Sequence, residues 1–235
     1  MNTDVIKERL NLNLDETSAE KLEKFMQLFK EYNSHTNLMS KNDVSKLFEK
    51  HVFDALSLNL FFQKYSISKA KMLDIGTGGG FPSLPIAICF ENINVVALDS
   101  IKKKIDFISL TKENLDLKNI EPKCSRVEDL PQRERESFDI VTTRAVADLN
   151  VILEYAIPFL KVGGYFVAYK SKIIDKEIND AQNALKILGA KIVEKIEYKL
   201  PMDEDFERFL LVIKKEKPTS INYPRPNGMV KKNPL

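Results

Sequence analysis

The chain is poor in the residues that build most metal and redox centres. Its 235 residues include two histidines and two cysteines. Cys89 and Cys124 have no CxxC spacing and no histidine nearby in sequence, which argues against a zinc ribbon or a disulfide framework. Both read as small hydrophobes. His35 and His51 fall on separate helical segments without a third ligand spaced near them, so no metal site is expected. His51 and Asp54, one helical turn apart, are placed to hydrogen-bond to each other. Long apolar runs are missing too: none approaches the roughly 18 residues that cross a bilayer. The N-terminal MNTDVIKERL carries charges where a signal peptide would be apolar. A cytoplasmic protein with no membrane contact is the expectation.

Net charge is small, +2 over the chain, but it is unevenly placed. The last segment, Lys214 to Leu235, has six Lys or Arg against one Glu, a net of +5 that leaves residues 1–213 at −3. Such a proline-bearing basic tail is either an arm that touches phosphates or a solvated extension.

Residues 1–65 read as a helical extension. Behind Ser18 as N-cap, Leu22, Phe25, Met26, Phe29 and Tyr32 share one face. DVSKLFEKHVFDALSLNLFF repeats the pattern with Val44, Leu47, Phe48, Val52 and Leu56, with Asp43 as its cap. These faces need a partner to cover them. Residues 66–215 form a second region, in which short apolar runs alternate with helical ones. Strands are expected near MLDIG, NVVALD, IEPKC, FDIVTTR and GYFVAYK, and helices starting near Pro82, Ile101, Asp148 and Ile173. The alternation predicts a doubly wound α/β fold with a mostly parallel sheet, since parallel strands need long crossovers. KIVEKIEYKLP and FERFLLVIKK, joined by PMDED, read as a hairpin that closes the sheet with an antiparallel strand. Residues 216–235 are the basic tail.

Glycine is scarce as well, eight in all, yet four stand in LDIGTGGGFP, residues 73–82. The first strand-to-helix turn of an open α/β sheet is the usual place for a ligand. Gly76, Gly78, Gly79 and Gly80 let the backbone approach one closely, and Pro82 suits the first turn of the following helix. The next strand ends at Asp99, 19 residues after Gly80, where a carboxylate can accept both hydroxyls of a ribose. Dinucleotide enzymes place a third glycine where this chain has Phe81, and no GK[ST] follows to make a P-loop. A nucleoside cofactor without phosphates, such as S-adenosylmethionine, fits these residues better.

Other candidates cluster around the same strand ends. Asp74 either orders the loop or meets the cofactor's ammonium group. Val127 and Glu128, in SRVEDL, stand where an adenine edge would come. Arg144 ends FDIVTTR and is expected to project its planar fork over the crevice, holding a carboxylate, phosphate or base edge, or else to bridge the sheet end with a salt bridge. Lys102, Lys103 and Lys104 form a solvated face or steer phosphates.

Taken together, YNSHTNL (Tyr32, Asn33, Asn37, Leu38), KHVFD (His51, Asp54), LDIGTGGGFPSLPIAI, LDSIKKKIDF, SRVED, TTRAVADL and YPRPNGMVKKNPL resemble the bacterial family of ribosomal RNA small subunit methyltransferase G, also called glucose-inhibited division protein B. The resemblance runs from about Tyr32 to the C-terminus. It implies a Rossmann-like class I methyltransferase fold and methyl transfer from S-adenosyl-L-methionine to N7 of one guanosine in 16S ribosomal RNA, near the decoding region of the small subunit. By motif position it assigns Gly76, Phe81, Val127, Glu128 and Arg144 to the cofactor, with Asp99 and Ser100 on the ribose side. One departure is Ala55, where the family pattern leads one to expect serine.

Guanine N7 carries a lone pair and no proton, so the reaction needs orientation and no general base. Arg144 is therefore expected to act by positioning. RNA would be gripped by the tail, the Lys102–Lys104 cluster and the N-terminal helices, and deletion of residues 218–235 should weaken RNA binding while sparing the cofactor. A monomer suffices. Two alternatives share parts of the pattern: a methyltransferase of a small molecule and an NAD-dependent oxidoreductase, the latter disfavoured by Phe81.

Overall fold

The computed structural model describes residues 2–144, 147–171, 175–201, 203–226 and 228–235, with backbone alone at 203–207. Amphipathic spacing produces the expected helices at the N-terminus. Helix α1 spans Thr3–Leu10 and α2 spans Glu16–Thr36. Asp15, rather than Ser18, caps α2: its carboxylate accepts from the Ser18 backbone N–H at 2.6 Å, the usual reach of an N-cap side chain to the third helical amide. Leu22, Phe25 and Phe29 lie buried along one stripe of this helix.

The second helical segment is not continuous. It divides into α3 (Lys41–Val44), a π-helical turn at Phe48–Val52, α4 (Phe53–Leu56) and α5 (Leu58–Lys64). Ser40 caps α3 in place of Asp43, its hydroxyl accepting from the Asp43 N–H at 3.2 Å. Single π-turns inside α-helical runs are found frequently at functional sites, and this one contains His51.

Five strands run parallel: β1 (Ala70–Ile75), β2 (Ile93–Asp99), β3 (Ile120–Cys124), β4 (Phe138–Arg144) and β5 (Leu160–Ser171). The expected hairpin follows as β6 (Ala190–Leu200) and β7 (Asp203–Lys215), with β7 inserted antiparallel between β5 and β6. Sheet order is β3-β2-β1-β4-β5-β7-β6, so strand order reverses between β1 and β4. Central β1 buries five of its six residues, as a strand covered on both faces must.

Crossover helices α6 (Ser83–Cys89), α7 (Lys102–Asn114) and α8 (Leu149–Ala156) start within a residue of the positions expected at Pro82, Ile101 and Asp148. The start expected at Ile173 lies outside the described residues; α9 spans Asp175–Asp180 and α10 spans Gln182–Leu188. One face of the sheet is covered by α1 to α7, with Phe29 packed edge-on to Phe107 at 5.3 Å and to Phe81 at 5.5 Å between ring centroids. The partner that the N-terminal helices require is thus the chain's own sheet. The other face is covered by α8, α10 and the short C-terminal helix α11 (Met229–Lys232).

That last element corrects the expectation of a free basic arm. Lys215 is fully buried, donating to Glu136 Oε1 at 2.8 Å and to the carbonyls of Ile157 and Leu160. Arg135 donates to the carbonyls of Thr219, Ser220 and Tyr223. Arg225 grips the buried Glu154 through Nε at 2.9 Å and Nη2 at 2.6 Å, and Val230 enters the core. The charge pattern of the tail does not reveal this, because Glu136 and Glu154, which satisfy Lys215 and Arg225, lie 79 and 71 residues away in sequence.

Candidate active site

Strand-order reversal opens a cleft of about 520 Å³ at the carboxyl ends of β1, β2 and β4. The glycine turn forms its floor. Leu98 carbonyl accepts from the amides of Gly76 and Thr77 at 2.8 and 3.0 Å, and the Asp99 carboxylate accepts from Gly78 N–H at 3.0 Å, so the end of β2 holds the turn in place. Asp99 also accepts from Ile101 N–H at 2.9 Å and faces Lys104 Nζ at 3.4 Å. Oδ2 accepts twice, from Gly78 and Lys104, and Oδ1 once, from Ile101, so Oδ1 keeps a lone pair with which the carboxylate can serve a ligand hydroxyl as well as the turn.

Gly76, Gly78, Phe81, Asp99, Ser100, Val127, Glu128 and Arg144 all line the cleft, as the sequence leads one to expect. Asp74 and Gly80 do not. Gly80 adopts φ +92°, and a Cβ there would lie 2.4 Å from Leu84 Cδ1; its role is to let the turn pack on α6. Asp74 lies fully buried beneath the turn, where Ser83 Oγ donates to its Oδ2 at 2.6 Å and Thr77 Oγ1 donates to Ser83 Oγ at 2.9 Å. Through Ser83 it orders the loop, while its buried Oδ1 has no hydrogen-bond partner among the described residues.

Burial pushes the Asp74 carboxyl up to about 7, against the hydrogen bond from Ser83, backed by Thr77, which acts in the opposite direction. Its raised value means that the folded chain keeps a proton that the unfolded chain releases from about pH 4 upward. Stability from this group is complete below pH 4 and is lost as pH rises toward about 7. Asp74→Asn removes the titration, so denaturation midpoints of the native and variant proteins should diverge across that window, the native form losing ground with rising pH. Parallel curves would show that Asp74 is ionised throughout.

Arg144 closes one end of the cleft and also makes the salt bridge considered for it. Its Nη1 donates to Asp54 Oδ2 at 3.2 Å and its Nη2 to His51 Nδ1 at 2.6 Å; Asp54 Oδ1 accepts from the Tyr198 hydroxyl at 2.6 Å. His51 and Asp54 are therefore not bonded to each other; both orient the arginine. Burial, aided by the Arg144 charge, lowers the His51 pKa to about 3, so the imidazole is neutral and free to accept at Nδ1. Phe81, 5.4 Å from the guanidinium carbon, completes the seat. Ala55, at the position of the expected serine, is buried, and its carbonyl accepts from Tyr169 at 2.8 Å.

Several lining residues were not legible in the sequence. Leu38 and Met39 reach the cleft because Asn33 clamps the Met39 backbone, accepting from its N–H at 2.8 Å and donating to its carbonyl at 3.0 Å. The YNSHTNL motif contains that signal without revealing its partner. Tyr155, Arg126 and Lys231 also line the cleft. Of the lysine triplet, Lys104 alone does so; Lys102 pairs with Asp106, and Lys103 donates to the Thr36 carbonyl.

The dimensions and donor set suit S-adenosylmethionine. Pockets for such ligands run to about 300–1,000 Å³ and join apolar walls to a few fixed polar groups. Here the apolar walls are Leu38, Phe81 and Val127, with carboxylates at Asp99 and Glu128 and a guanidinium at Arg144. No helix among the described residues is long and apolar enough to cross a membrane.

This fold and cleft define a class I S-adenosylmethionine-dependent methyltransferase. A methyltransferase from Aquifex aeolicus superposes with TM-score 0.55 at 16% identity, covering 74% of this chain and 98% of that one. M. jannaschii TYW2, solved in complex with AdoMet, gives TM-score 0.52 at 14% identity over 66% of this chain and 75% of its own. Residues 18–201 match the family model of rRNA small subunit methyltransferase G, and the chain belongs to that family. Proteins named ribosomal RNA small subunit methyltransferase G from Fusobacterium nucleatum and Lysinibacillus sphaericus are 40% and 37% identical to it, over 97% and 95% of this chain and 96% and 94% of theirs.

Proposed function

We propose that the protein transfers the methyl group of S-adenosyl-L-methionine to N7 of a guanosine in 16S ribosomal RNA. The observation that carries this reading is the cleft's composition: a nucleoside-sized site at whose end the guanidinium of Arg144 is locked by Asp54 and His51 in a geometry suited to holding. The cofactor supplies an electrophilic methyl on a sulfonium centre, and N7 offers a lone pair without a proton. The chain's work is thus to bind and align. Asp99 is assigned to the ribose hydroxyls with Ser100 beside it, Val127 and Glu128 to the adenine edge, and the Gly76–Gly78 backbone to close approach. Arg144 holds the cofactor carboxylate or the target nucleotide. Alignment of two reactants can lower a barrier by about 7–11 kcal/mol, and because N7 carries no proton the step needs no general base. Coverage of the N-terminal helices by the chain's own sheet supports action as a monomer.

The test is transfer of radiolabelled methyl to small ribosomal subunits from cells lacking the gene, followed by nucleoside analysis. Label in N7-methylguanosine of the small-subunit RNA is the expected result. Label in another nucleoside would overturn the N7 assignment, and label only in a free metabolite would favour a small-molecule methyltransferase.

A further inference from the structure

Among the described residues the cleft is lined by four basic side chains, and three of them already face a carboxylate. Lys104 Nζ lies 3.4 Å from Asp99 and Arg144 Nη1 lies 3.2 Å from Asp54, while Arg126 Nη1 lies 4.0 Å from Glu128. Lys231, the fourth, has no ion pair or hydrogen bond among the described residues and is solvent-exposed. A flexible ammonium at a rim, free of any internal acid, is available to an anion from outside.

The chain devotes considerable structure to placing it there. Lys231 sits on α11, whose neighbour Val230 is fully buried. Just upstream, Arg225 is held by the buried Glu154 of α8 and also donates through Nη2 to the Asn233 carbonyl at 2.9 Å, which ties together the two ends of the segment bearing Lys231. A tail whose purpose was solubility would need neither anchor. The anchors fix the backbone on both sides of Lys231 while its side chain stays exposed.

We propose that Lys231 is a substrate contact, holding a backbone phosphate of the RNA as the target nucleotide enters the cleft. The inference rests on the RNA reading of the site. Arg144, anchored on β4 beside α4, is the cation assigned to the reacting end, whereas Lys231 arrives from the α8 side of the sheet. An anionic polymer crossing the cleft mouth has phosphates to offer on that side, and a lysine there acts as a point charge without base selectivity.

The experiment compares the native chain with Lys231→Gln and Lys231→Arg, using unmethylated small subunits as substrate and varying salt. Lys231→Gln should raise KM for the subunit roughly tenfold, the equivalent of one charge-assisted hydrogen bond. The slope of log affinity against log salt should become shallower by about 0.7 to 0.9, the signature of one lost phosphate contact. Lys231→Arg should restore the slope, and calorimetric affinity for S-adenosylmethionine should be retained in both variants. An unchanged KM and slope in Lys231→Gln would overturn the assignment. So would lost cofactor affinity with an unchanged slope, which would move Lys231 to the cofactor's carboxylate. Absence of transfer by the native chain would be seen before any variant is compared, and would overturn the RNA reading and this inference together.

Discussion

Arg144→Ala should lower methyl transfer by about a hundredfold and destabilise the protein in the same step. Both effects come from one geometry. On the cleft side the guanidinium is the anchored donor, and removing it frees its ligand to shift by an ångström, a displacement that costs about two orders of magnitude in aligned reactions. On the buried side, Asp54 is 2% exposed and would keep, among the described residues, only the Tyr198 hydroxyl as side-chain partner. Stranding a buried carboxylate in this way costs about 3–5 kcal/mol. The two losses can be separated with Arg144→Lys, which returns the charge without the planar fork that spans Asp54 and His51. That variant should recover most of the stability and little of the rate. If Arg144→Ala retained both cofactor affinity and transfer rate, the positioning role would be wrong, whatever happened to stability.

Truncation after Lys217 should lower the melting temperature by roughly 10–20 °C and weaken cofactor binding through that loss of stability. Sequence composition alone leads to the opposite expectation, that deleting 218–235 spares the cofactor site. The structure reverses it because Glu154, fully buried on α8, would lose Arg225, at a cost of about 3–5 kcal/mol. Removal of buried Val230 adds about 1.5 kcal/mol or more of lost apolar burial. Arg135 loses its three carbonyl acceptors as well. For a chain of this size each kcal/mol is about 2–4 °C. Calorimetric melting of the shortened and full chains checks the first claim and titration with S-adenosylmethionine the second; a shortened chain with native melting and cofactor affinity would show the tail to be dispensable.

Most of the sheet and half of the site could be read from the sequence because both are written in local patterns. Buried strands show as short apolar runs, the crossover helices as periodic stretches between them, and the cofactor floor as a glycine cluster followed by an acid at the end of the next strand. Gly76, Gly78 and Asp99 were findable since one turn and one spacing define them. Helix caps were misplaced by a few residues at Ser18 and Asp43 because several polar residues stand near each start, and only the backbone angles decide which one accepts from the amides.

What tertiary structure alone decided are the pairings across long separations. Arg144 lies about 90 residues from Asp54 and His51, Tyr198 about 140 from Asp54, and Arg225 about 70 from Glu154. In each case the sequence shows a charged or polar residue whose default environment is solvent, and nothing local marks it as buried. Sequence by itself determined the class of fold and the cofactor floor, since glycine conformation and hydrophobic period act over a few neighbouring residues. The clamp on Arg144, the relegation of Asp74 beneath the turn and the return of the tail to the cleft were decided by packing, because the free energy of burying an ion depends on which partner the fold brings to it.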